Sequence, residues 1–358
     1  MGKERLSVAA LTTGRHDPSA RFRIRQHIDP LYELGIEVKE HIPFVDKYAG
    51  VPHGIKHYVK HFPKLAVDLG LQGVKLSSRI SGLINSIHSD FVWLNRELLP
   101  GQYTLERLVK RPFVLDVDDA IWCHGANGFE AIRRLGSEAV AVTAGNQYLA
   151  DWFSQWNSNI HIVPTAIDTD RFTPGICDNI PYRKQNYTVG WTGTFWNLSC
   201  LYGIEKPLNL FLEKSNSKLM VVADKQPEFQ LIKHERVDFR RWSPEVEASS
   251  LQEMDVGLMP LPDSEWTRGK CSFKMLQYMS AAIPVVVSPV GMNIEVLGHG
   301  LAGYPAVSDD DWFDALNTIF QDRQLAIEMG KTGRGIIIEK YSRRLVSEII
   351  ANVFHSLA

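Results

Sequence analysis

The sequence predicts an α/β protein made of two doubly wound, Rossmann-like domains facing a cleft. Short β-rich apolar runs alternate with longer helix-period stretches from end to end, the pattern of parallel strands joined by crossover helices. The 358 residues correspond to about two domains of roughly 150 residues each. Between the halves, Pro164 to Tyr187 holds prolines, a glycine and polar residues with no clear period, which reads as a connection.

In the first half, strands are expected over Leu6–Thr12, Gly35–Glu40, Phe91–Asn95, Phe113–Val117, Ala139–Thr143 and Ile160–Val163. The first helix is expected to start at Ser19 as N-cap, to carry Ile24, Ile28 and Leu31 on one face, to kink at Pro30 and to stop at Gly35. The second half offers strands over Tyr187–Trp191, Lys218–Ala223, Val237–Phe239, Val256–Met259 and Pro284–Ser288. From Asp309 onward the pattern is helical and ends in a stripe of Leu345, Ile349 and Val353. These boundaries divide the chain into a domain over 1–170, a linker over 171–186, a domain over 187–335 and a last helix over 336–358.

A formal net charge of −2 leaves no global positive field for nucleic acid. The 44% hydrophobic and 22% charged fractions are those of a globular chain. Cys123, Cys177, Cys200 and Cys271 contain no CxxC pair, which argues against a zinc knuckle or redox dithiol and for a reducing compartment. No apolar run approaches the roughly 20 residues needed to cross a bilayer, and the amino terminus is a poor secretory signal. The expected location is cytoplasmic.

The most informative segment runs from Trp266 to Gly291: a loop, a helix, a strand and a glycine turn. A helix starting near Ser272 points the amides of Cys271, Ser272 and Phe273 outward, a position that favours anions. Arg268, Lys270 and Lys274 surround it with positive charge, a combination suited to a diphosphate. Asp263 and Glu265, in the loop just ahead, are candidates for hydroxyls of a ligand, or solvated loop acids. Gly193 and Thr194 end the first strand of the second sheet and allow close approach of a phosphate or sugar to backbone.

In the first half, Gly14 lies in the loop after the first strand. Arg21 and Arg25 are expected to share a helix face able to hold phosphate, with Arg23 solvated. Phe113 to His124 is a strand running into an acid-rich turn with Asp116, Asp118 and Asp119. An Asp-x-Asp also suits a divalent metal or a phosphatase nucleophile, but neither suits a motif deep in the first of two doubly wound halves, so the acids read as groups of the cleft wall, and no metal is expected. Lys47, Lys56, Lys60, Lys64, Lys75 and Arg79, interleaved with Tyr58, Phe62, Leu65, Leu69 and Leu76, form a basic amphipathic region over 47–80. It is a candidate for peripheral contact with anionic lipid, with Pro63, Gly70 and Gly73 expected to interrupt any long helix.

The words FKMLQYMSAAIPVVVSPVG, with Asp255 to Asp263 ahead of them, resemble the carboxyl half of a GT-B fold glycosyltransferase, close to the retaining family 4. The resemblance implies a nucleotide-sugar-binding second domain, an acceptor-side first domain and a last helix packing toward the first. Gln277 stands at the place of the second glutamate of the family's Glu-x7-Glu motif, which contacts the ribose, and Gly269 at the place of the first. Phe195, Trp196, Asn197 and Leu198 follow the strand where relatives carry an Arg and a Lys. His124 resembles in position a histidine placed near the donor sugar.

The implied reaction moves a sugar from a UDP- or GDP-type donor to a hydroxyl of a glycan, lipid-linked or small-molecule acceptor, with retention and no required cofactor. Arg268, Lys270 and His124 are the catalytic candidates. Gly14, Gly193, Thr194, Asp263, Cys271, Ser272, Phe273, Lys274 and Gln277 are the donor-binding ones. The alternatives are a nucleotide-sugar epimerase or hydrolase on the same plan, or a catalytically inactive partner subunit.

Overall fold

The computed structural model describes residues 5–175 and 187–358, and the chain divides into two compact units. One comprises residues up to Ala166 together with Arg343–Ala358; the other is Ile167–Ser342.

The first unit is built on β1 (Leu6–Leu11), β2 (Ile36–His41), β3 (Phe91–Asn95), β4 (Phe113–Val117), β5 (Ala141–Ala144) and β6 (Ile160–Ile162). They form one parallel sheet in the order β2-β1-β3-β4-β5-β6. Its helices are α1 (Ile28–Glu33), α2 (His53–Val59), α3 (Lys64–Asn85), α4 (Gly128–Glu138) and α5 (Gln147–Phe153). Central strands covered on both faces are mostly apolar and buried at every position, as in Phe91–Asn95 and Phe113–Val117.

The second unit carries β7 (Thr188–Thr192), β8 (Lys218–Ala223), β9 (Val237–Arg241), β10 (Val256–Met259), β11 (Val285–Val287) and β12 (Gly303–Pro305), ordered β12-β11-β10-β7-β8-β9. Its pairings are all parallel. Around it lie α6 (Leu198–Tyr202), α7 (Glu205–Ser215), α8 (Pro244–Leu251), α9 (Glu265–Arg268), α10 (Phe273–Ser280), α11 (Met292–Gly298), α12 (Asp309–Gln321) and α13 (Arg323–Ile336). The winding reverses between β1 and β3 in the first sheet and between β7 and β10 in the second. In open sheets of this kind, ligands bind outside the carboxyl ends at the reversal.

Several local expectations are corrected. Ser19 is itself helical and does not cap; its hydroxyl donates to Asp118 at 2.9 Å. The expected first helix is broken into a π turn (Ala20–Ile24), a 3-10 turn (Arg25–His27) and α1, with Pro30 in the first turn of α1, where a missing N–H costs nothing. Gly70 and Gly73 do not interrupt α3, which runs unbroken for 22 residues after Pro63. The edge strand β12 went unread because its three residues, Gly-Tyr-Pro, carry almost no strand signal.

Of the expected linker, 176–186 lies outside the described residues. Phe172 is buried in the second unit, where Ser280 Oγ (2.7 Å) and Arg334 Nη1 (3.1 Å) donate to its carbonyl. The last helix, α14 (Arg343–Leu357), begins at Arg343 rather than 336 and belongs to the first unit. Its buried stripe is Val346, Ile350 and Phe354, one position on from the expected Leu345, Ile349 and Val353, of which Val353 is also buried. Phe354 packs edge-on against Phe91 and Trp93. His27 Nδ1 meets Ser347 Oγ at 2.7 Å.

Burial, reinforced by Arg23 and Arg343, pushes the His27 imidazole down from 6.5 to about 3. The unfolded chain therefore takes up this proton first. Stability is intact above pH 6.5 and falls as pH drops toward 3, by up to about 1.4 kcal/mol per pH unit. Urea unfolding between pH 7 and 5 should show a shallower loss for His27→Gln than for wild type; equal slopes would remove His27 as the cause.

Arg23, expected on the solvated face, is 2% exposed. It holds Asp116 through Nε (3.1 Å) and Nη2 (2.7 Å) while Nη1 donates to Val163 O at 2.6 Å. Breaking a buried pair strands the remaining charge, so Arg23→Met should lower stability by about 3–5 kcal/mol; a urea midpoint close to wild type would refute this.

Candidate functional site

The loop after β10, the start of α10 and the end of β7 converge at the reversal of the second sheet. Trp191 lies in β7, and Lys274 Nζ sits 4.8 Å above its ring. A Cβ on Gly193 would lie 3.0 Å from Lys274 Cε and closer still to the Trp191 ring, so this position requires glycine. Gly193 and Lys274, 81 positions apart, are thus neighbours. Thr194 ends the same strand exit and accepts at Oγ1 from Asn197 Nδ2 at 3.1 Å.

Helix α10 starts at Phe273, one residue after the expected Ser272. Ser272 is left-handed (φ 52°) and its side chain does not cap the helix. Its hydroxyl instead donates to Asn293 Oδ1 at 2.7 Å. Asn293 Nδ2 donates to Ser288 O (2.9 Å), and Ser288 Oγ accepts from Leu261 N (2.9 Å). This buried chain pins both ends of the loop. Gly291 (φ 54°) closes it, since a Cβ there would lie 2.5 Å from Arg268 O. Cys271 is buried, with Sγ 3.9 Å from Gly269 O.

Arg268 is engaged with Asp263 in a two-pronged pair at 2.7 and 2.8 Å, both side chains about half exposed. Asp263 is held below its ordinary carboxylate range by that contact. Lys270 Nζ stacks over Trp266 at 4.8 Å. Glu265 lies in the first turn of α9, capped by Ser264 and Thr267.

Gln277 is buried and donates from Nε2 to Glu247 Oε1 at 3.2 Å. Glu247, on α8, also receives Arg171 Nη2 (3.2 Å) and Trp242 Nε1 (3.4 Å). Sequence reading missed this carboxylate. The available signal was an acid on the same helix face as the buried Ser250 and Leu251.

At the reversal of the first sheet stands a set of ion pairs. Arg96, left-handed at φ 62°, binds Asp118 (2.5 Å) and Asp119 (2.8 Å). Asp116 is taken by Arg23 and by Thr143 Oγ1 at 2.8 Å, so it is a wall of the core rather than an acceptor-facing group. Lys47 is buried against Glu97 at 2.9 Å, and Arg79 is also buried, which removes both from the basic surface expected over 47–80. Arg25 pairs with Glu40, and Arg21 lies over Phe22, so the expected shared arginine face does not form. Gly14 gives its clearance to the Asp46 carboxylate, which accepts from Arg15 N at 2.9 Å. Half-buried His124 has its pKa lowered by burial, with Glu97, Lys47, Arg96 and Asp119 acting on it; the ring is neutral at physiological pH.

Residues 186–322 match the family described as Glycosyl transferases group 1. No curated protein matches the chain. Among solved structures it is similar to sucrose-phosphate synthase from Thermosynechococcus elongatus (TM-score 0.73, 14% identity, 99% of each chain covered). It is also similar to Anabaena HepE in complex with UDP and glucose (TM-score 0.70, 14% identity, 98% of this chain and 100% of that one). A third is WaaG, a glycosyltransferase involved in lipopolysaccharide biosynthesis (TM-score 0.64, 13% identity, 97% and 99%). The chain thus has the GT-B fold, and the stretch of its second unit over residues 186–322 is similar to the glycosyl transferases group 1 family.

Proposed function

We propose that this protein transfers a sugar from a UDP- or GDP-linked donor, held on the second unit, to a hydroxyl of a glycan or lipid-linked acceptor, with retention and without a metal. The observation that carries the reading is the pinned loop from Asp263 to Lys274, which sets the start of α10 and Lys274 beside Gly193. Backbone amides at a helix start and fixed cations stabilise the negative charge that grows on a leaving diphosphate. Arg268 and Lys270 stand on the same loop. The HepE structures with UDP and UDP-glucose support a uridine donor.

Retention rests on the family resemblance: the acceptor attacks the face from which the diphosphate departs, and a diphosphate oxygen takes its proton. Neutral His124 then orients sugar or acceptor instead of acting as a strong base. The Gln277–Glu247 pair takes the ribose hydroxyls, with Glu247 supplying the carboxylate that position 277 lacks. Gly269, and Phe195 and Trp196 in the place of cations, favour a second reading as a binding subunit. A donor bound but neither transferred nor hydrolysed would establish that one.

No helix among the described residues is long and apolar enough to cross a membrane. Peripheral contact at the inner face is proposed through α2, α3 and the turn between them, where Tyr58, Phe62, Leu65 and Leu69 are exposed beside Lys56, Lys60 and Lys64.

In a thermal-shift screen, UDP or GDP at a hundred times its Kd should stabilise the protein by about 2.7 kcal/mol, and Lys270→Ala and Lys274→Ala should lose the shift. If no nucleotide stabilises wild type, with or without magnesium, the donor assignment fails.

Glu247→Gln should weaken binding of the same nucleotide roughly tenfold, about 1.4 kcal/mol. The 2′-deoxy nucleotide should bind wild type and variant more nearly alike. An equal loss for both nucleotides would reassign Glu247 to structure alone.

A further inference from the structure

At the carboxyl end of β7 the chain passes through one 3-10 turn, Phe195–Asn197, that leaves two aromatic rings at the surface. Phe195 is 38% exposed and Trp196 84%, the highest value for a large hydrophobic side chain among the described residues. An indole left in water forgoes the stabilisation that burial gives so large a ring. The turn itself is fixed. Phe195 N donates to Asp224 Oδ1 at 2.6 Å, Asn197 N donates to Thr194 O at 2.9 Å, and Lys225 Nζ stands 4.0 Å from the Phe195 ring centroid. The Phe195 and Trp196 rings meet edge to face at 5.7 Å.

Beside Phe195 opens a groove of about 500 Å³, within the roughly 300–1,000 Å³ of small-molecule sites. Its other walls are Tyr202, Glu205, Gln226, Glu228 and Gln230. Tyr202 ends α6 and Glu205 begins α7, and both clamp the loop opposite them. Tyr202 Oη accepts from Glu228 N at 3.0 Å, while Glu205 Oε1 accepts from Leu231 N (2.6 Å) and Ile232 N (3.1 Å). Gln226, Glu228 and Gln230 alternate along that held loop and are exposed, so their polar groups are open to a ligand. Strand β8 lies on the side of β7 away from β10. The groove, between the β7 exit and the loop after β8, is therefore separate from the donor loop at the β7–β10 reversal.

The lining selects its ligand by elimination. Two carboxylates and no cation among the lining residues repel a phosphate or a carboxylate. An ammonium ligand meets the acceptors but leaves the amide N–H groups of Gln226 and Gln230 unmatched. A sugar hydroxyl both donates and accepts, so it matches amides and carboxylates alike, and the C–H face of a pyranose is apolar and packs on an aromatic ring. We infer that this groove is a subsite for a neutral pyranose, with Phe195 and, at its margin, Trp196 as the platform and Gln226, Glu228 and Gln230 as hydroxyl partners. Its place apart from the donor loop suits a sugar of a glycan chain other than the one transferred. That last role rests on the proposed transfer reaction; the saccharide site does not.

The test is saturation-transfer-difference NMR with the α- and β-methyl glycosides of glucose, galactose, mannose and N-acetylglucosamine. Wild type is compared with Trp196→Ala and Glu228→Ala, both substituted at exposed side chains, with far-UV circular dichroism and urea midpoints as the check on folding. At least one glycoside should bind wild type, bind both variants about tenfold more weakly, and stay bound when UDP is added. No transfer to any glycoside, or affinity unchanged in the variants, overturns the subsite. Displacement by UDP overturns it as well, by giving the groove to the donor. Spermidine binding that is lost in Glu228→Ala, with no glycoside bound, assigns the groove to cations instead. The thermal shift of wild type with UDP reports the donor site separately, so failure there is distinguishable from failure here.

Discussion

Each sheet is wholly parallel, so every loop that leaves a carboxyl end emerges on the same edge, and the polar groups those loops carry are crowded together there. Crowded polar groups at partly buried positions must be paired, because an unmet donor or an isolated charge in a poor solvent is costly. Much of the local chemistry follows from how each reversal point meets that requirement.

In the first unit it is met by two arginines and a lysine. Arg23 holds Asp116, Arg96 holds Asp118 and Asp119, and Lys47 holds Glu97. The acid-rich turn after β4, which in isolation suggests a metal or a nucleophile, is thereby turned into a rigid floor. The pairing is incomplete at Arg79 Nε and Nη2, Asp17 Oδ2 and Glu97 Oε2, which have no hydrogen-bond partner.

In the second unit the requirement is met by neutral groups. Ser272, Asn293, Ser288 and the backbone of Leu261 satisfy one another in sequence, leaving the cations of the loop outside the bonded chain. A loop stiffened by uncharged bonds can present charge to a ligand without having to move to do so. The resident contacts of Arg268 with Asp263, and of Lys270 and Lys274 with tryptophan rings, hold those side chains near the loop. Gln277 and Glu247 show the same economy: an amide on α10 meets a carboxylate delivered by α8.

The sequence by itself determined the class of fold and most of its strands, because period and apolar continuity are local properties. Phe91–Asn95, Phe113–Val117, Lys218–Ala223 and Val256–Met259 could be read to the residue. It also marked the loop before α10, where glycine, cations and a helix start are consecutive in the chain. Pairings across long separations were decided only by tertiary structure: Lys47 with Glu97, Arg23 with Asp116, Glu247 with Gln277. A charged residue looks the same in sequence whether it faces water or a counter-charge 50 or 93 positions away, and only the packing of the sheet edges settles which.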